Sequence, residues 1–458
     1  MQRAALSLIF AGVLAAPAAA DDSPGDDPDG LPDPGAGYVI GDIVLEKSDV
    51  FDLSNPDEDR WLYRAANRFH IVTRDSTIRK QLLFASGDTY DRRVIEESER
   101  LLRRNKYLYD AQIKAQRVAD GTVDLVVSTR DVWSLAPELS VSRSGGETRS
   151  RIGLEETNLL GRGQLLRVLR DNDIERSENI IEFGDNNLGR TWVSMRARYS
   201  DNSDGNSSLF AVTRPFYSLD TRWAAGGTLF DDDRISKLYQ FGEAAAEYRH
   251  EREYAHVFGG WSQGIRKGRV WRWTTGVVYD DNRFSDSPST SLPSVVPADR
   301  KLVYPYLGVE LVEDGYVTTR NRDQIERTED FQMGLQVRAS LGWADESFGA
   351  DRNAGIFAAS ASHGFGSLED TALLLSATSD GRLESGDLTN AKVSFDARFY
   401  RRQSAKRTFF IEISGTRGTR LDIDNSVVLG GKTGMRGYPL RYQVGESKAL
   451  LTVEQRYY

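Results

Sequence analysis

The sequence contains no cysteine, and only four histidines and four methionines in 458 residues. Without cysteine, disulfides and thiolate metal sites are excluded. The histidines are scattered at His70, His250, His256 and His363. They form no His-Glu-x-x-His pair, and no carboxylate cluster has metal-ligand spacing, so no metal is expected. Beyond the first twenty residues no stretch approaches the roughly 18 uninterrupted apolar residues of a spanning helix, so any membrane span has to be a β-barrel. An excess of positive charge is also missing. Lys+Arg number 59 against 68 Asp+Glu, a formal net charge of -9. That balance gives no reason to expect nucleic acid, whose phosphates need a basic surface. No glycine-rich phosphate loop opens a helix, so no nucleotide cofactor is implied.

The chain begins with a recognisable address. Arg3 supplies a positive start, an apolar run follows through Leu6, Leu8, Ile9, Phe10, Val13 and Leu14, and Ala18-Ala19-Ala20 offers a small-residue cleavage site. Residues 1–20 are therefore expected to be a secretory signal peptide, and the run is too short for an anchor. Residues 21–37, rich in Asp, Pro and Gly, are expected to be a flexible leader.

Residues 38–132 are expected to form a small α/β domain. Val39 to Leu45 has strand character. Ser54 is placed to cap a helix with Trp61, Leu62 and Ala65 as its buried stripe. A helix carrying Ile78, Leu82 and Leu83 is broken by Ser86-Gly87-Asp88. Another, from about Arg92 to Arg104, sets Val94, Ile95, Leu101 and Leu102 on one face. Two alternating strands follow, through Tyr109, Ala111, Ile113 and Ala115 and through Val123, Leu125 and Val127, turned by Asp120-Gly121.

From about Glu138 the period changes to two and stays there. The clearest strand runs Phe331, Met333, Leu335, Val337, Ala339, Leu341, Trp343, with polar residues or glycine between. Ala391 to Phe399, Val193 to Tyr199 and Phe409 to Ile413 repeat the pattern. A charged face opposite an apolar face, strand after strand, suits a membrane barrel with a wet interior; a soluble sandwich would bury the apolar face in a common core. The signal peptide, strands of about 10 residues and aromatic segment ends favour the barrel, placed at 135–458. Turns are expected at Ser144-Gly145-Gly146, Asp201 to Asn206, Asp231-Asp232-Asp233, Lys267-Gly268 and Ser379-Asp380-Gly381. Two long connections, Asn282 to Asp299 and Glu313 to Asp330, are expected on the outer surface.

Near the end lies Leu429-Gly430-Gly431-Lys432-Thr433-Gly434-Met435-Arg436-Gly437-Tyr438-Pro439-Leu440, too rich in glycine for a strand or helix. This Gly-rich loop with its Arg-Gly-Tyr triplet, between two alternating strands, resembles the Omp85 superfamily of outer-membrane β-barrels. So does Asn158-Leu159-Leu160-Gly161 near the barrel start. Residues 38–132 resemble the POTRA domain that precedes such barrels, with local likeness at Thr73-Arg74, Ile78-Arg79, Gly87-Asp88-Thr89-Tyr90 and Lys106 to Ala111; the helix near Trp61 looks like an insertion.

The resemblance implies a mainly β protein: a transmembrane antiparallel β-barrel preceded by one small α/β POTRA-like periplasmic domain. It implies a bacterial outer-membrane location and a role in inserting proteins into, or moving them across, that membrane. The alternative is a passive pore or structural surface barrel of the same architecture. The partners implied are the lipid bilayer and a client polypeptide held at the POTRA sheet edge by strand addition.

It also implies that Arg436, Gly437 and Tyr438 form the tip of a loop folded into the lumen, supported by Gly430, Gly431 and Gly434. The loop arginine docks on the inner wall in that family. Asp396, Glu412 and Glu454 are the candidate wall partners within this chain, although the acidic partner in the family lies on a strand beyond its end. Several strands follow the loop in the family, whereas here one does. The barrel is therefore expected to be incomplete at its C-terminal end, unless Tyr457-Tyr458 is a true aromatic terminus. No catalysis is expected. Gly260-Trp261-Ser262-Gln263-Gly264 matches a nucleophile elbow in letters only, because a turn and another strand follow where a helix is required.

Overall fold

The structure, a computed structural model, describes residue 31 and residues 37–458 apart from 57, 145–146, 174, 289–291 and 326. The expected signal peptide, most of the leader and the Gly145-Gly146 turn lie outside the described residues. The N-terminal domain runs β1 (Val39–Ser48), α1 (Trp61–Phe69), α2 (Asp75–Arg79), α3 (Arg92–Arg103), β2 (Leu108–Ala119) and β3 (Thr122–Asp131). Its sheet has the order β1-β3-β2, with β1 parallel and β2 antiparallel to β3. The apolar face of α3 packs Ile95 and Leu102 against Ile40, Ile113, Val123, Leu125 and Val127 to make the core. Asp91 caps α3 by accepting from the Arg93 amide at 3.0 Å.

Two helices depart from the sequence expectation. The helix expected to carry Ile78, Leu82 and Leu83 ends at Arg79, so only Ile78 lies on it. The other is α1. Ser54 does not cap α1; its hydroxyl donates to Asp52 at 2.6 Å. No α1 residue is buried, and Trp61 and Leu62 are exposed. The helix is held instead by Tyr63 stacked on Phe51, ring centroids 4.2 Å apart, and by Asn67, whose amide bonds both the N–H and the carbonyl of Phe51.

The rest of the chain is dominated by one antiparallel sheet. Its first ten strands are β4 (Leu135–Ser144), β5 (Glu147–Glu156), β6 (Gln164–Asn172), β7 (Ser177–Leu188), β8 (Val193–Asn202), β9 (Gly205–Arg214), β10 (Trp223–Gln240), β11 (Glu243–Arg266), β12 (Arg269–Ser285) and β13 (Arg300–Glu313). A separate hairpin follows, β14 (Tyr316–Arg320) with β15 (Thr328–Gln332). The sheet resumes with β16 (Gln336–Ala344), β17 (Ala354–Gly366), β18 (Thr371–Glu384), β19 (Asp387–Ser404) and β20 (Arg407–Thr419). A small hairpin, β21 (Val427–Leu429) with β22 (Gln443–Gly445), precedes the last strand, β23 (Ser447–Tyr457). Sixteen strands are joined in sequence, and β4 and β23 form the two edges: the sheet is not closed.

The alternation read from the sequence sorts onto two faces. Leu139, Ile152, Val168, Ile181, Leu229, Val257, Leu307, Leu341, Val393, Ile413 and Leu451 are exposed on the outer face. Cross-strand partners keep that order; Leu307 faces Leu341, Leu341 faces Phe357, and Ile413 faces Leu451. The opposite face carries ion pairs such as Arg252 with Asp280 at 2.8 Å, Arg272 with Glu310 at 3.1 Å and Arg398 with Asp396 at 2.8 Å. An apolar exterior around a charged interior is the wall of a transmembrane barrel.

Three expectations need correction. The run Phe331 to Trp343 is not one strand. Thr328–Gln332 pairs with Tyr316–Arg320 outside the sheet, and only Gln336–Ala344 joins it. The break falls where Gly315 and Gly334 lie back to back, so close that a Cβ on Gly334 would sit 2.7 Å from the Glu313 carbonyl oxygen. The connection Glu313 to Asp330 therefore holds this hairpin, and it lies against the N-terminal domain rather than on the outer surface: Asp330 pairs with Arg103 at 2.6 Å. Finally, Asp231-Asp232-Asp233 and Ser379-Asp380-Gly381 lie within β10 and β18. Cross-strand pairing overrides their turn composition, as in the Asp233–Arg249 pair at 2.5 Å.

Candidate functional site

The N-terminal domain is seated on the sheet by the turn between β5 and β6. Asn158 is buried there. Its amide donates to the Thr73 hydroxyl at 2.8 Å, and its carbonyl accepts from the Gly163 amide at 2.7 Å. Thr73 in turn donates from its amide and hydroxyl to Asp131, at 2.7 and 2.9 Å, and His70 Nε2 lies 2.9 Å from the same oxygen. On α2, Thr77 donates to the Gly161 carbonyl at 2.8 Å, and Arg74 donates to the Leu160 carbonyl at 2.9 Å. Asp131 ends β3 and the sheet begins at Leu135, so this network forms where the chain crosses between the two units. Tyr107 packs beside it on Gly163; burial, with the nearby Asp131 and Asp185 charges, pushes its phenol well above the usual range. Glu97 on α3 accepts from the Leu219 amide at 2.8 Å, and burial raises its carboxyl against that bond. The Asn-Leu-Leu-Gly stretch singled out in the sequence is thus the docking turn.

At the opposite end, the chain between β20 and β23 folds back across the interior. Asp422 accepts both guanidinium nitrogens of Arg382, at 2.9 and 3.0 Å, and also pairs with Arg300 at 2.9 Å. Asp424 pairs with Arg300 at 3.0 Å, and Asn425 bonds Lys392. On the returning arm, Arg441 pairs with Glu175 at 2.6 Å and lies over the Tyr239 ring at 4.8 Å. Between loop and wall lies a cavity of about 620 Å³, lined by Glu175, Arg198, Arg234, Tyr239, Asp424 and Arg441 among others.

The anchoring polarity differs from that implied by the resemblance. The clamps are loop carboxylates on wall arginines, together with Arg441. Arg436 is exposed and has no ion pair among the described residues. Tyr438 is half exposed and lies 5.4 Å, ring to ring, from Tyr442. Nor do the expected wall partners reach Arg436: Asp396 pairs with Arg398 and Glu454 with Arg456, both at 2.8 Å, and Glu412 lies next to Arg398 across β19 and β20. The signal that could have pointed to the clamp was Asp422-Ile423-Asp424, two carboxylates on alternate positions just before the loop.

The glycines have a physical explanation. Gly430 has φ +129, and a Cβ there would fall on the Pro439 carbonyl oxygen; Gly434 has φ +112, with Leu450 Cδ1 2.6 Å away from a Cβ. Gly437 is free of both constraints. We expect Gly430→Ala to destabilise the folded loop by about 1–3 kcal/mol and Gly437→Ala to be neutral. Protease sensitivity of residues 420–446 in the two variants checks this, and equal sensitivity would refute it.

Ser262 is buried in β11, where its hydroxyl accepts from the Gly264 amide at 3.0 Å; the strand runs on to Arg266 and no helix follows. His256 bonds the Tyr306 hydroxyl at 3.0 Å instead. Glu251 and Glu253 beside it are strand residues.

Residues 70–130 match the family model described as POTRA, "Surface antigen variable number repeat". Here that domain leads straight into a barrel-type sheet. Residues 70–130 are a POTRA domain. Solved structures similar to it include CdiB from Acinetobacter baumannii, at 11% identity over 92% of this chain and 68% of that chain with a TM-score of 0.42. CdiB from Escherichia coli is 11% identical over 93% of each chain, with a TM-score of 0.35. BamA from Haemophilus ducreyi lacking POTRA domains 1–3 is 12% identical over 82% of this chain and 72% of that chain, with a TM-score of 0.33. No curated protein sequence matches. The POTRA match covers β2 and most of the buried junction. It leaves out β1 and α1, the helix that looked like an insertion in the sequence.

Proposed function

We propose that this POTRA-bearing protein is of the Omp85 type and helps insert polypeptides into the bacterial outer membrane, or move them across it. Its POTRA domain stands in the periplasm and receives the client by strand addition. The observation that carries this reading is the buried seat of the POTRA domain on the barrel-type sheet, through Thr73, Asp131 and Asn158. A client held at the POTRA sheet is thereby held at a constant distance from the charged interior and from the open sheet edges.

The competing reading, a passive pore, is disfavoured by two obstructions. The loop between β20 and β23 crosses one end of the interior, and the β14–β15 hairpin crosses the other. In the proposed mechanism the exposed Arg436 tip, with Gly437 and Tyr438, is the part of the loop free to meet a further carboxylate. Arg436→Ala then impairs function without releasing the loop. Quantitative outer-membrane proteomics after depletion tests the whole reading. Loss of many barrels supports general assembly, and loss of one protein or one secreted product supports dedicated translocation. An unchanged outer-membrane proteome would sink both.

A further inference from the structure

Strand addition needs free backbone groups along an edge, and β2 is an edge of the POTRA sheet. Along the first half of β2 those groups are already taken. The Ile113 amide donates to Glu99, and the Ala111 carbonyl accepts from Arg103 Nη1 at 3.0 Å; both side chains come from α3. The Leu108 carbonyl accepts from Arg327 Nη2 at 3.0 Å, and Arg327 belongs to the β14–β15 hairpin. The hairpin reinforces this cover. Asp330 grips Arg103 with both oxygens, at 2.6 and 2.8 Å, and Thr328 donates to Asp110 at 2.8 Å. Tyr316 lies under Arg100, 4.4 Å from guanidinium to ring centroid. Only the second half of β2 is largely exposed, including Gln116, Arg117 and Val118.

The other end of the same hairpin is inserted against the inner face of the last strands. Arg322 is 1% exposed and donates to the Leu368 carbonyl. Asp323 accepts from Arg456 at 2.9 Å and from the Tyr400 hydroxyl at 3.1 Å. The Arg322 carbonyl accepts from Arg456 at 2.7 Å and from the Tyr458 hydroxyl. One hairpin therefore touches the POTRA edge with its strands and β23 with its tip. At its root, Gly315 and Gly334 leave no room for side chains, which gives a narrow base.

We infer that the β14–β15 hairpin is a strap over the client edge. An extended polypeptide adding to β2 displaces it, and the displacement withdraws Asp323 and the Arg322 carbonyl from Arg456, freeing the inner face of β23. The inference rests on the reading that clients join β2. The strap holds the edge through side-chain ion pairs and hydrogen bonds at separate points, whereas a client strand supplies a continuous backbone ladder along it.

The test uses the full chain folded in detergent. The probe is a fluorescent synthetic peptide with the sequence of residues 336–344, an alternating strand of the kind an outer-membrane client presents. A photo-crosslinker replaces Gln116 to report contact with β2. In the released form, Asp330→Ala with Arg327→Ala, peptide affinity should rise at least tenfold. In the fastened form, Asp110→Cys with Thr328→Cys is joined by a short bismaleimide, specific because the native chain has no cysteine. There affinity should fall at least tenfold. Heat-modified gel mobility verifies that each form is folded. Equal affinity in all forms, with crosslinks from residue 116 to the peptide, overturns the strap and leaves the edge reading intact. Absence of those crosslinks in every form, released included, overturns both.

Discussion

Asp422→Ala should open the end of the interior remote from the POTRA domain. Asp422 is the meeting point of two wall arginines, accepting a two-pronged bond from Arg382 at 2.9 and 3.0 Å and a third contact from Arg300 at 2.9 Å. The Arg382 side chain is only 7% exposed. Its remaining carboxylate partner is Glu384 on its own strand, which does nothing to hold the loop. Removing one member of a buried ion pair costs about 3–5 kcal/mol, because the partner charge stays desolvated. At about 1.4 kcal/mol per tenfold change, the docked loop loses more than a hundredfold of its preference. Single-channel conductance in planar bilayers should rise markedly, and residues 420–446 should become protease-sensitive. The swap of Arg382→Asp with Asp422→Arg should recover part of the occlusion. Unchanged conductance in Asp422→Ala would refute the clamp. Arg436→Ala provides the contrast, since Arg436 holds no partner among the described residues and its loss should leave conductance low.

The second large effect is expected at Asp131. Its side chain is fully buried, and one oxygen accepts from the Thr73 amide and hydroxyl while facing His70 at 2.9 Å. Asp131→Leu would orphan a buried amide and two buried side chains, at about 1–3 kcal/mol for each unsatisfied group. Thr73 also carries the bond from Asn158, so the seat of the POTRA domain should fail with it. Limited proteolysis should then cut between residues 131 and 135, and calorimetry should show the POTRA transition separating from that of the barrel. Asp131→Asn, which keeps one acceptor, should lie between the two. A wild-type cleavage pattern in Asp131→Leu would show that the network does not hold the domains together.

Much of this was legible in the sequence, wherever the cause is local. Ile95 and Leu102 share a face of α3 because a helix repeats every 3.6 residues, and Leu307 and Leu341 share the outer wall because a strand repeats every two. Asn158 to Gly161 was visible as a motif, and the glycines at 430 and 434 as conformational requirements. Other features depended on partners distant in the chain. Acidic and Gly-containing triplets at 231–233 and 379–381 have turn composition, yet neighbouring strands extend them. Two glycines at 315 and 334 split one alternating run between the sheet and a hairpin. The resemblance pointed to Arg436 as the anchor of the loop, whereas the fold sets Arg300 at the start of β13 and Arg382 on β18 beside Asp422. Periodicity is set within a few residues and so belongs to the sequence; the choice of ion-pair partner is set by which strands lie side by side, and only the tertiary structure decides that.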